Sequence, residues 1–230
     1  MSKNNGWLIL LDIDGTILTT EGVGPRLMQQ AADRLFDGKL RFEGVDFSGN
    51  LDPLIVAEAA TRSSFDWNQE HHTRFRSAYL DVLSTWLRDS TPGLLPGAQS
   101  LIESLHQSEV HTGLLTGNYP EAARLKLDAV GLAFDRFQSS AFGDDACDRP
   151  GLVAVARDRH ETPLEATRVV VVGDTPRDVH CAKAHGCTSI AVTTGRFDRN
   201  QLDAAGADAV LDSLESATPV LAGLGIDLIE

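Results

Sequence analysis

Short apolar runs suited to buried strands recur at residues 7–11, 110–115, 169–172, 189–192 and 209–211. Between them, apolar residues at helical spacing predict helices over 96–107, 120–130, 151–160, 176–185 and 201–205. Strands alternating with helices imply a parallel sheet covered on both faces. Right-handed crossovers then narrow the topology to a doubly wound α/β sandwich, a Rossmann-like core.

One interval breaks this rhythm. Residues 18–92 hold no convincing buried strand, and helical patterns run over 25–36, 52–61 and 68–88. In the last, Phe75, Tyr79, Val82, Leu83 and Trp86 form one stripe, read as the packing face of a small bundle. The chain therefore divides into a catalytic core of residues 1–17 and 93–230 and an inserted all-helical cap of residues 18–92. Polar stretches at 18–24 and 89–97 read as flexible joints, and Pro92-Gly93 and Pro96-Gly97 mark the return to the core. His71 and His72, within the insertion, read as solvated and carry no role.

Composition narrows the function without naming it. The 230 residues are 42% hydrophobic and 23% charged, proportions of an ordinary soluble globule. The formal charge of −13 argues against nucleic-acid or anionic-membrane binding, which need a basic face. An anionic substrate must then be attracted by a local cation. Cys147, Cys181 and Cys187 match no zinc spacing and leave an odd thiol, consistent with a reducing compartment. The polar start at residues 1–6 and the brevity of the next apolar run do not make a signal peptide, so a cytoplasmic protein is expected.

The chemistry concentrates where strands end. Asp12 and Asp14 close the first apolar run, followed by Gly15 and Thr16. Two acids there are costly to bury unpaired, but suit a cleft beyond the carboxyl ends of a parallel sheet that holds a divalent cation. Asp174 ends another strand, in Gly173-Asp174-Thr175-Pro176, and with Asp12 offers the oxygen ligands that magnesium prefers. Asp178 falls in the next helical turn, where an acid is favoured by the helix dipole in any protein. Thr116-Gly117-Asn118 follows the second core strand; its hydroxyl and amides could face an anion, although the same turn is as readily structural. For a cation in the cleft, Arg149 before a helix is preferred to Lys126, which lies mid-helix and reads as solvated.

These motifs, in this order along the whole chain, resemble the haloacid dehalogenase-like hydrolase superfamily, in particular its phosphoglycolate phosphatase-like members with a helical cap. The resemblance implies that Asp12 is a nucleophile forming an aspartyl-phosphate and that Asp14 is the general acid and base. It further implies Mg2+ held by Asp12, Asp174 and the Asp14 backbone carbonyl, with Asp178 acting behind them. Thr116, the amides of Gly117 and Asn118, and Arg149 would hold the phosphoryl oxygens. Arg149 stands where the family usually has lysine, and gives a planar fork in place of a compact ammonium. Halide-displacing members lack an acid at the position of Asp14, so Asp14 favours phosphomonoesters. In the cap, Phe47-Ser48-Gly49-Asn50 resembles a family segment in which an arginine often follows the glycine; Asn50 removes that candidate carboxylate clamp, so an organic acid phosphate is less expected as substrate than the fold and motifs alone would suggest. The expected function is hydrolysis of a small soluble phosphomonoester by a monomer or homodimer. The alternatives are a sugar-phosphate mutase using the same acids and a non-catalytic phosphoacceptor module.

Overall fold

The computed structural model describes residues 6–90 and 92–229. The reading of the opening residues as polar and leaderless falls largely on residues 1–5, outside the described residues. In chain order the elements are β1 (Leu8–Leu11), β2 (Leu18–Thr19), α1 (Gly24–Phe36), α2 (Asp52–Arg62), α3 (Gln69–Asp89) and β3 (Gly93–Leu94). They continue with α4 (Ala98–Gln107), β4 (His111–Leu114), α5 (Pro120–Ala129), α6 (Arg149–Asp158) and β5 (Val169–Gly173). The chain closes with α7 (Pro176–Ala184), β6 (Thr188–Val192), α8 (Arg199–Ala204), β7 (Ala209–Leu211) and α9 (Ala217–Gly223).

Five strands form one parallel sheet in the order β4-β1-β5-β6-β7. The side-chain alternation of a strand explains why its runs are apolar throughout. Ile9, Leu11, Val170 and Val172 pack on one face with Leu101, Leu105, Leu127 and Leu221 of α4, α5 and α9. Leu8, Leu10, Val169 and Val171 pack on the other with Leu152, Val153 and Cys181 of α6 and α7. The sheet is therefore covered on both sides, a doubly wound α/β core.

Helix starts follow from local chemistry. Proline lies in the first turn of α1, α2, α5, α6 and α7, where its missing N–H costs no hydrogen bond. Asn68 caps α3 by accepting from the His71 amide at 2.9 Å. α1, α2 and α3 bury a separate cluster that includes Leu27, Met28, Ile55, Phe75, Tyr79, Val82 and Leu83. It extends onto the core through Tyr119 and Ala122 at the start of α5.

The stripe packs as expected, with Trp86 half-buried against the same cluster. The structure corrects two expectations. The segments read as flexible polar joints contain strands that pair with each other: Leu18 and Thr19 run antiparallel to Leu94 and Gly93. His71 and His72 are also half-buried, not solvated. The His71 ring lies 5.1 Å from Phe65 and 5.6 Å from Phe36, and the His72 ring 5.8 Å from Tyr119. Residue 71 follows a run rich in aromatics, and packing against them outweighs the polarity of the imidazole.

Candidate active site

β1 and β5 are neighbours with Leu11 opposite Val172, so the residues that follow them emerge side by side at one sheet edge. Asp12 follows β1 and Asp174 follows β5. Asp178 enters from the first turn of α7, oriented by a reciprocal cap with Thr175. Among the described residues these three place a carboxylate oxygen each within 4.8 Å of one another, and all three are buried.

The turn after Asp14 brings the first loop against Asp174. Gly15 has φ 84°, a conformation suited to glycine, and a Cβ there would collide with the Asp174 carboxylate. Thr16 Oγ1 is 3.5 Å from Asp174 Oδ1, and Thr194 Oγ1 donates to the Gly15 carbonyl at 2.6 Å.

Arg149 is the first residue of α6 and is buried. Its Nη2 lies 3.1 Å from Asp12 Oδ1 and 2.6 Å from Asp178 Oδ1, and its Nε donates to Asp178 at 3.1 Å. Nη1 donates to the carbonyl of Gly49, in the insertion, at 3.0 Å. The guanidinium fork thus joins two acids and the cap in one plane, a task that a point-charge ammonium performs less well. These acids hold the guanidinium firmly protonated against the opposing effect of its burial.

Lys126 is the main correction at the site. It is 6% exposed, and its Nζ lies 2.6 Å from both Asp14 Oδ2 and Asn118 Oδ1. Helical side chains lean toward the N-terminus, so a four-carbon stem spans the turn that separated Lys126 from the cleft. A signal was present in the sequence: Ala122, Ala123 and Leu127 share the apolar stripe on which Lys126 stands.

Thr116 is fully buried, and its Oγ1 accepts from Asn118 Nδ2 at 2.8 Å. The Asn118 side chain also donates to Asp14 Oδ2 at 2.8 Å. The Asn118 amide, expected to face an anion, is directed at Thr116 Oγ1 at 3.4 Å. The backbone of Gly117 passes so close to the Asn50 carbonyl that a Cβ would not fit between them. Asn50 itself lines the cavity while its side chain bonds the Leu51 amide and the Asp46 carbonyl.

Burial raises the Asp12 acid to about 7; Arg149 opposes the rise, while Asp178 and Asp14 add to it. Burial, then the charges of Asp12 and Asp178, raise Asp174 to about 9. Arg149 offsets one of the three clustered charges. The remaining two, on hard oxygen donors, fit a divalent cation such as Mg2+.

Above these acids a cavity of about 180 Å³ runs up between the sheet edge and the helical insertion. The insertion is fastened around it. Asp52 donates its amide to the Gly117 carbonyl at 2.7 Å and accepts from the Tyr119 amide at 2.9 Å. Arg76 bridges Glu121 at 2.6 Å and Asp144 at 2.8 Å, while Arg177 holds Asp46 at 2.9 Å and the Ser48 carbonyl.

Comparison with known proteins agrees with this geometry. A phosphoglycolate phosphatase of Vibrio parahaemolyticus is 26% identical over 228 residues, covering 96% of this chain and 99% of the relative. The (DL)-glycerol-3-phosphatase 2 of Arabidopsis thaliana is 29% identical over 227 residues, covering 94% and 90%. The crystal structure of CbbY from Rhodobacter sphaeroides in complex with phosphate superposes with a TM-score of 0.76 at 20% identity, covering 98% of this chain and all of that one. The family model for haloacid dehalogenase-like hydrolases matches residues 9–192. By that match and by its fold, the chain belongs to the haloacid dehalogenase-like hydrolases.

Proposed function

We propose that this protein is a magnesium-dependent phosphatase that hydrolyses a small phosphomonoester through an aspartyl-phosphate on Asp12. The observation that carries the reading is the meeting of Asp12, Asp174 and Asp178 within 4.8 Å beside one buried arginine. A soluble, reducing compartment fits the free thiols at Cys147, Cys181 and Cys187. Among the described residues, no helix is long and apolar enough to cross a membrane.

The residues divide the reaction between them. One Asp12 oxygen, Oδ1, is steadied by Arg149, and the carboxylate attacks phosphorus. The bond from phosphorus to the ester oxygen breaks, and Asp14 gives that oxygen its proton. A water then attacks the aspartyl-phosphate, Asp14 takes the proton of that water, and the bond to Asp12 breaks to release phosphate. Lys126 and Asn118 fix Asp14 Oδ2 and leave Oδ1 to carry the proton. Thr116 supplies a hydroxyl and Arg149 a guanidinium for charge gathering on the phosphoryl oxygens. Asp12, Asp174 and the Asp14 carbonyl would hold Mg2+, with Asp178 behind them, and the ion supplies charge neutralisation between nucleophile and phosphate.

Phosphate release from a panel of metabolite phosphates, with and without magnesium, tests this reading. Asp12→Asn is expected to lower turnover by about a thousandfold or more while leaving the fold intact. Acid-quenched wild type should carry covalent phosphate that the variant lacks. Substantial turnover by Asp12→Asn would reject the nucleophile. Isomerised sugar phosphate without free phosphate would favour the mutase, and no turnover on any ester would favour a phosphoacceptor module.

A further inference from the structure

The cavity has two chemically distinct halves. Its floor carries Asp12, Asp14, Thr116, Lys126 and Arg149, the groups assigned to the phosphoryl transfer. Its roof, toward the insertion, is apolar along Leu27, Met28, Ile55 and Leu83, and polar at Thr20, Tyr79 and Asp52. Among the described residues lining it, the cations are Lys126 and Arg149, and both are already matched to buried or half-buried acids on the floor. The roof therefore offers an anion no counter-charge.

Asp52 makes the roof actively hostile to one. It is 7% exposed at the start of α2, lines the cavity, and accepts the Tyr119 amide at Oδ2. As part of the cavity lining, this carboxylate can accept a hydrogen bond from a donor that enters. Tyr79 and Thr20 add hydroxyls to the same roof. A substrate carboxylate brought there must face Asp52, whose neighbouring cation Lys126 is already held by Asp14, or take up a proton, and either is costly. A hydroxyl avoids both costs and satisfies the buried acceptor.

The geometry points to a phosphomonoester whose leaving group bears no carboxylate or other anion, carries a hydroxyl that donates to Asp52, and lays its hydrocarbon against Leu27, Met28, Ile55 and Leu83. Asp52 is thereby the specificity-determining residue of the roof. The inference rests on the phosphatase reading above, and it separates the two kinds of ester on which the relatives named here act.

The test is a comparison of kcat/KM for glycerol 3-phosphate and phosphoglycolate on the magnesium-loaded full chain, with an aryl phosphate as a control. Glycerol 3-phosphate is expected to exceed phosphoglycolate by about tenfold or more. Asp52→Asn keeps an oxygen for the Tyr119 amide and removes the charge. It should narrow the ratio of glycerol 3-phosphate to phosphoglycolate by about tenfold. Reading a ratio between substrates cancels any loss of folded enzyme, and Asp52→Ser replaces the variant if it is insoluble. Wild type that turns over phosphoglycolate as well as glycerol 3-phosphate overturns the inference, as does a ratio unmoved by either substitution. Failure to hydrolyse even the aryl phosphate would instead overturn the phosphatase reading itself.

Discussion

At the scale of single residues, the two buried cations of the site differ in what they leave behind when removed. Arg149 stands between Asp12 and Asp178, whose side chains are 7% and 3% exposed. Arg149→Ala therefore strands two acids away from water and is expected to cost about 3–5 kcal/mol of stability. Lys126 serves Asp14, whose side chain is 39% exposed and keeps its bond from Asn118. Lys126→Ala should spare more of the stability while lowering kcat by about a hundredfold, because the acid loses the partner that positions it. Thermal unfolding and steady-state kinetics of the two variants distinguish these outcomes. Equal losses of stability would reject this division of labour.

The scale of the element shows what could be read from the chain and what could not. The central strands were legible because burial on both faces leaves them continuously apolar, and Asp12 and Asp174 stand out at their ends. The insertion was legible because its apolar residues keep helical spacing. The ribbon of β2 and β3 was not, since two-residue strands carry no periodicity and their pairing is set by chain ends brought together from afar. Lys126 is set aside as solvated by its linear spacing from the cleft, and helix geometry reverses that reading. Asp178 could be read as a helix-dipole residue, yet only the structure shows that Thr175 turns it toward the site. Thr175 Oγ1 donates to Asp178 Oδ2 at 2.7 Å, and the Thr175 amide does so at 3.0 Å. Thr175→Ala is expected to cost about 1 kcal/mol as a lost cap. It should also weaken magnesium affinity by about tenfold, because Asp178 loses a hydrogen bond that orients it. Denaturant unfolding and a magnesium titration check the pair of effects; unchanged affinity would leave Asp178 with only its capping role.

For the whole molecule, acids whose ionisation is opposed by burial tie folding to pH. The Asp12 and Asp52 acids are raised from 3.8 to about 7 and that of Asp174 to about 9, in each case first by burial. Each keeps its proton to higher pH when folded than when unfolded, so the folded chain binds more protons between the two values. Their contribution is therefore fully present below pH 3.8 and is lost as the pH climbs toward 7 for Asp12 and Asp52, and toward 9 for Asp174. Metal-free protein should melt at progressively lower temperature across this range. Magnesium should raise the melting temperature most at the alkaline end, where Asp12 and Asp174 are charged. Asp52 lies outside the ion cluster, so its share of the slope should survive magnesium and vanish in Asp52→Asn. A magnesium effect that is flat with pH would argue against those two acids as its ligands.

The ribbon of β2 and β3 has one more consequence. Because the outgoing and returning chains are zipped together, residues 20–92 leave and rejoin the sheet side within a single strand spacing, about 4.8 Å. To the Rossmann-like body, the whole helical bundle is topologically the loop of a hairpin. Such a socket would accept a bundle of another size or shape without re-registering any strand. Leu18 also forms a bridge with Asp14, so the ribbon that carries the bundle is joined directly to the backbone of the acid proposed to transfer the proton.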